Sequence, residues 1–160
     1  MKKPFLLLAA LALALFGCSK SDEIPLNDPD SEGPITEVPQ DPERVDYDLA
    51  SLNNSGIAGT ASFIPGKDGS STTVYIELTG TNQEIHPASI NFGDVDSNGG
   101  VAITLDACEC RISETVVDQL DDGTPIDFVE LMNFDGHLNI YESPSDMSVV
   151  AQVNIGSNAF

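Results

Sequence analysis

The chain has 160 residues, with 6 Lys and Arg against 26 Asp and Glu, a formal charge of −20 at neutral pH. That balance excludes a nucleic-acid partner, which would need a basic stripe, and disfavours electrostatic adhesion to anionic lipid. The length allows one domain and a tail.

In chain order, Met1-Lys2-Lys3 supplies a positive start and Phe5 to Phe16 an unbroken apolar run, too short to span a bilayer as a mature helix. Leu15-Phe16-Gly17-Cys18 follows, and this layout resembles the signal peptide and lipobox of bacterial lipoproteins. The resemblance implies cleavage before Cys18 and lipidation of its thiol and new amino terminus, so residues 1–17 are expected to be a signal peptide. Attachment to the membrane is then through acyl chains, at roughly 0.8 kcal/mol per buried CH₂.

Residues 18–46 carry that cysteine and an acidic tether holding five of the ten prolines, Pro25, Pro29, Pro34, Pro39 and Pro42. Its few apolar residues are isolated, giving it no face to bury. A flexible coil of this length averages about 30 Å end to end, and proline and like charge extend it further. Ser19-Lys20-Ser21-Asp22-Glu23 resembles the acidic export signal that follows the lipidated cysteine in some Gram-negative groups. This implies an outer-membrane anchor facing the cell surface, with the periplasmic face as the alternative.

Residues 47–160 form the expected folded domain. Ile57, Gly59, Ala61 and Phe63 alternate along one strand face, as do Val74, Ile76 and Leu78. Ile90 with Phe92, Val101 with Ile103 and Leu105, Leu138 with Ile140, and Val149 through Ile155 repeat the pattern. Period-two alternation marks antiparallel strands with one buried face. Gly-, Asn- and Asp-rich turns separate them, including Asp135-Gly136. The prediction is an all-β antiparallel β-sandwich with one short inserted helix, Pro125 to Phe134, capped by Thr124 and opened by Pro125.

Asn54-Ser55-Gly56-Ile57-Ala58-Gly59-Thr60-Ala61, Asp121-Asp122-Gly123-Thr124-Pro125, Asn133-Phe134-Asp135-Gly136 and Val150-Ala151-Gln152-Val153-Asn154-Ile155-Gly156 resemble, in order and spacing, bacterial chordin-repeat (CHRD) domains. The resemblance covers Tyr47 to Phe160. It implies a β-sandwich in secreted proteins or lipoproteins, without a settled reaction. Members of that family continue into a further strand after this stretch, which leaves open whether a sheet edge near Phe160 is unpaired.

Three constellations could carry chemistry. Domains of this family commonly place histidines where this chain has Ser89 and Asn91, similar to the His-x-His copper pair of copper/zinc superoxide dismutases. They tend to end the later hairpin in His where this chain reads His137-Leu138-Asn139-Ile140-Tyr141. With only His86 and His137 available, a zinc or copper set is short of ligands. Asp94, Asp96 and Asn98, followed by Gly99, match the start of an EF-hand loop, but the twelfth position is Leu105 rather than a bidentate Glu. An Asp/Asn/Gly hairpin tip produces the same spacing, and calcium stays an alternative. Cys108 and Cys110 fall on one side of a continuing strand, as a strained disulfide, a redox pair or two separate thiols.

No nucleophile elbow or phosphate-binding glycine loop is present. The expectation is a non-enzymatic domain for an unidentified protein or envelope ligand, with no required cofactor. The alternatives are a metal-dependent or redox protein using His86, His137, Cys108 and Cys110, and a calcium-dependent adhesion module.

Overall fold

The computed structural model describes residues 44–81, 84–97 and 99–159. The expected signal peptide, Cys18, the expected tether up to residue 43, and Asn98 lie outside the described residues. The elements are β1 (Val45–Ser51), β2 (Ala58–Pro65), β3 (Thr72–Thr79), β4 (Ile85–Phe92), β5 (Val101–Glu109), β6 (Ile112–Val117), α1 (Phe128–Met132), β7 (Asp135–Ser143) and β8 (Asp146–Gly156). The first strand starts ahead of the expected Tyr47 boundary, because Val45 pairs with Phe63 of β2.

All strand pairs are antiparallel, and they close into a barrel in the order β1-β2-β3-β6-β5-β4-β7-β8. The chain is therefore all-β as expected, but the expected β-sandwich is corrected to a closed barrel. Alternation could not separate the two, since strands of either architecture turn one face to a shared interior. What decides is the pairing of the first and last strands: Ala50 with Gln152 and Ser51 with Ala151. That pairing also answers whether the sheet is open near the C-terminus: β8 is bonded on both sides.

Closure is uneven. Within the half β1-β2-β3-β6, β2 and β3 pair along their whole length, and in the half β5-β4-β7-β8 the β7–β8 ladder is as extensive. The halves join at the short β1–β8 ladder and at a β5–β6 hairpin with one register pair, Glu109 with Ile112.

The interior is filled by Phe63, Val74, Ile76, Leu78, Ile90, Leu138, Ile140 and Ile155, all fully buried. An eight-stranded barrel leaves an interior just wide enough for side chains to fill. Tyr47 stacks edge-on against Phe63, with ring centroids 5.1 Å apart, and its hydroxyl accepts from the Gly156 amide. Gly59 lies tight against β3: a Cβ there would run into the Glu77 carbonyl oxygen.

Two expected strand faces break. Val101 is exposed although Ile103 and Leu105 are buried, because the β4–β5 register shifts between Ile90 and Asn91 and leaves Ala102 as an extra residue in β5. Phe92 is exposed at the end of β4, its ring 5.5 Å from that of Phe134. Two strands were not anticipated. The carboxylates Asp46 and Asp48 make β1 read as tether. The sixth strand inverts the usual pattern, burying Ser113 while exposing Ile112 and Val116.

The helix is shorter than expected. Asp127, not Thr124, is its N-cap, forming a reciprocal capping box with Glu130. Thr124 instead donates its backbone N–H to Asp122, and Pro125 bridges to Gln119. Asp135 and Gly136, expected to form a turn, are the first residues of β7.

Candidate functional site

The central strands β4 and β7 are buried on both faces. Register places Ala88 against Ile140 and Ile90 against Leu138 on the core side, and Ser89 against Asn139 and Asn91 against His137 on the outer side. All four of these outer residues are buried, as is neighbouring Tyr141. Parity accounts for the alternation, but a polar row on an outward face is ordinarily wet. Here the turn between β4 and β5 folds against it: His137 and Asn91 donate to the carbonyls of Gly93 and Gly99, and Val95 donates its N–H to Asn154 Oδ1.

The hydrogen-bond roles in this row follow from those contacts. A carbonyl can only accept, so His137 Nδ1, 2.8 Å from the Gly93 oxygen, carries the proton. Its Nε2 then accepts from Asn139 Nδ2 at 3.2 Å. Ser89 donates to Asn91 Oδ1 at 2.6 Å, so the Tyr141 hydroxyl, 3.0 Å from Ser89 Oγ, is the donor to it. Both ring nitrogens of His137 are thus engaged by protein groups. Asn139 Oδ1 is buried with no partner among the described residues.

His86 lies apart from this row. It shares the parity of Ala88 and Ile90 and is fully buried, with Nδ1 donating to the Tyr141 carbonyl at 3.0 Å. Its Nε2 has no partner among the described residues. The two histidines therefore project to opposite faces of the sheet and do not form one site. With Ser89 and Asn91 at the strand positions, the residues present do not fit the copper centre that the family resemblance implies. Among the described residues, no three His, Cys, Asp or Glu side chains come together as a metal site.

The expected common side for Cys108 and Cys110 is also corrected. Between the pairs Ala88–Leu105 and His86–Cys108, two residues of β5, Asp106 and Ala107, oppose one of β4, Pro87, and this bulge turns Cys108 inward opposite His86. Its thiol lies 3.4 Å from Ser113 Oγ, and burial pushes its pKa up. Cys110 sits at the hairpin tip with φ of 61°, exposed, and both thiols are free.

Asp94 and Asp96 occupy the β4–β5 turn, where Asp94 Oδ1 accepts from the Asp96 backbone N–H at 3.1 Å. That is the local bond by which aspartate shapes a turn. Asn98, the third member of the expected calcium set, is outside the described residues.

Asp121 emerges with a role that its place in a turn motif did not suggest. Its carboxylate accepts from both the backbone N–H and the hydroxyl of Thr104, at 2.9 and 2.8 Å. Thr115 Oγ1 accepts from the Asp106 N–H. Side chains thus occupy backbone donors of β5 where β6 has splayed away. The only sequence signal was that Asp121 precedes a Gly turn, which says nothing about a distant strand. Comparison with family models, curated proteins and solved structures returned no match.

Proposed function

We propose that this chain is a cell-envelope lipoprotein that presents a non-enzymatic, CHRD-like barrel domain for binding or structural work, anchored at the outer membrane through Cys18 and facing the cell surface. Support for the anchor is the Leu15-Phe16-Gly17-Cys18 motif and the acidic tether behind it. The observation that carries the non-enzymatic reading is the closed polar row on β4 and β7. His137 spends one nitrogen on the Gly93 carbonyl and the other on Asn139, while Tyr141, Ser89 and Asn91 bond in series. An imidazole held this way has no lone pair to offer a metal or a reacting proton.

Elemental analysis of the full chain, exported to an oxidising compartment, tests this reading. The expected result is a folded protein without stoichiometric transition metal. Near-stoichiometric copper or zinc that disappears in a His86→Ala, His137→Ala double variant overturns it. Labelling with a fatty acid tests the anchor: incorporation should be lost in Cys18→Ser, and an unlabelled wild-type chain refutes lipidation.

A metal or redox role is the second reading, and one observation favours it: the unpartnered His86 Nε2 buried opposite Cys108. The raised thiol pKa opposes it, since the thiolate is the ligand and the nucleophile.

A further inference from the structure

The splayed seam between β5 and β6 leaves an open cleft of about 550 Å³, running from Ile103 and Thr104 across to Thr115 and on to Asp121. A second cleft of about 520 Å³ lies between the β2–β3 turn and α1, lined by Asp68, Asp118, Ile126 and Val129 among others. Asp118 lines both. Each volume is in the range of ligand-sized pockets. Backbone bonds hold the walls together: Ile126 N–H to the Asp118 carbonyl, and Phe128 N–H to the Gly69 carbonyl.

Two independent features of the walls coincide. Val116 and Val129, at 65% and 64% exposure, are the most exposed large apolar side chains among the described residues, and one stands in each cleft. The charged side chains lining the clefts are all carboxylates: Asp68, Asp118, Asp121, Asp127 and Glu130. The nearest basic residue in sequence is Lys67, which does not line either cleft. Apolar knobs next to unneutralised carboxylates, along a strand whose outer edge has lost its neighbour, define the occupant by charge and shape. A second copy of this acidic chain would be repelled. An extended segment that carries both basic and apolar side chains matches, because each cleft sets a valine among carboxylates.

We propose that the paired clefts on either side of Asp118 form a docking groove for an extended, lysine- or arginine-bearing segment of a partner protein. The apolar side chains of that segment cover Val116 and Val129, and its cations lie against Asp118 and its neighbours. This rests on the binding-domain reading above and supplies the class of partner.

The test is fluorescence anisotropy of a dye-labelled peptide of alternating lysine and valine, titrated with the full chain at physiological salt. A glutamate–valine peptide serves as comparison. The lysine peptide should bind and the glutamate peptide should not. Val116→Ser with Val129→Ser should weaken binding about tenfold, as lost apolar burial. Asp118→Asn should weaken it about two- to fivefold, as for a solvent-screened ion pair. The distant pair Asp48→Asn and Asp146→Asn should leave affinity unchanged. Amide shifts in the unaltered protein, followed by NMR during the same titration, should concentrate at Val116, Asp118 and Val129, and that readout needs no variant to fold.

No binding of the lysine peptide, equal loss in the distant variant, or shifts spread over the whole acidic surface overturns the groove. A metal-free protein that ignores the peptide refutes the groove alone. Stoichiometric copper or zinc refutes the non-enzymatic reading and leaves the peptide result to be judged on its own.

Discussion

The two seams that close the barrel solve the same problem with different chemistry. Between β1 and β8, backbone pairs with backbone: Ala50 with Gln152, Ser51 with Ala151, and the Leu52 N–H with the Val150 carbonyl. Beneath that seam lie fully buried Phe63 and Ile155, with Tyr47 bridging from β1 to the end of β8. Between β5 and β6 the backbones part after Glu109 and Ile112, and Asp121 and Thr115 side chains take over the freed N–H groups. A ladder repeats one bond for each residue pair and excludes a newcomer. Side-chain bridges satisfy individual donors and leave space between the strands. Loosening one seam keeps the barrel closed and still produces a groove, because exposed strand edges must be covered by something.

The largest effect should come from the tight seam. Tyr47→Ala removes a buried ring against Phe63 and the acceptor for Gly156, and should cost about 3–5 kcal/mol of unfolding free energy in denaturant titration. Tyr47→Phe keeps the ring and should cost only about 1 kcal/mol. If the two variants were equally damaged, the hydroxyl rather than the packing would hold that seam.

At the loose seam Asp121→Ala should cost about 1.5 kcal/mol, the range for a hydrogen bond to a charged group. It should also speed hydrogen exchange at the Thr104 amide while leaving the β7–β8 amides protected. Thr115→Val should cost about 1 kcal/mol and act at the Asp106 amide alone. Exchange that accelerates around the whole barrel would mean that the two seams are one cooperative unit.

The smallest effects concern the thiols beside that hairpin. Cys110 should react with a thiol reagent in the folded protein, and Cys108 only on unfolding. Burial raises the Cys108 pKa in the folded state, so its contribution to stability is complete below the unfolded thiol's pKa of about 8.5 and is lost as pH rises through the folded value. In Cys108→Ser that alkaline decline should shrink. A decline of equal slope in the variant would assign it to other groups.

Much of the strand content was legible because alternation is local: Val74, Ile76 and Leu78 are all fully buried, as their spacing required. The β6 strand was not, since its burial pattern depends on packing against β3, where Ser113 faces Ile76. The cysteine pair was misplaced by a bulge, which depends on what the partner strand does. The motifs around Ser89 and His137 were visible, but which nitrogen was spent and which face each histidine took were not.

By itself, the sequence determined that this chain is acidic, is rich in alternating segments, and opens with an apolar run and a Pro- and acid-rich stretch unlike the rest in composition. Charge and period-two burial are properties of single residues and their nearest neighbours. Tertiary structure alone decided that the sheet closes, that the two histidines part to opposite faces, and that Val116, Asp118 and Val129 border adjoining clefts. Those outcomes depend on register between strands distant in sequence, and register is set only when all the strands pack at once.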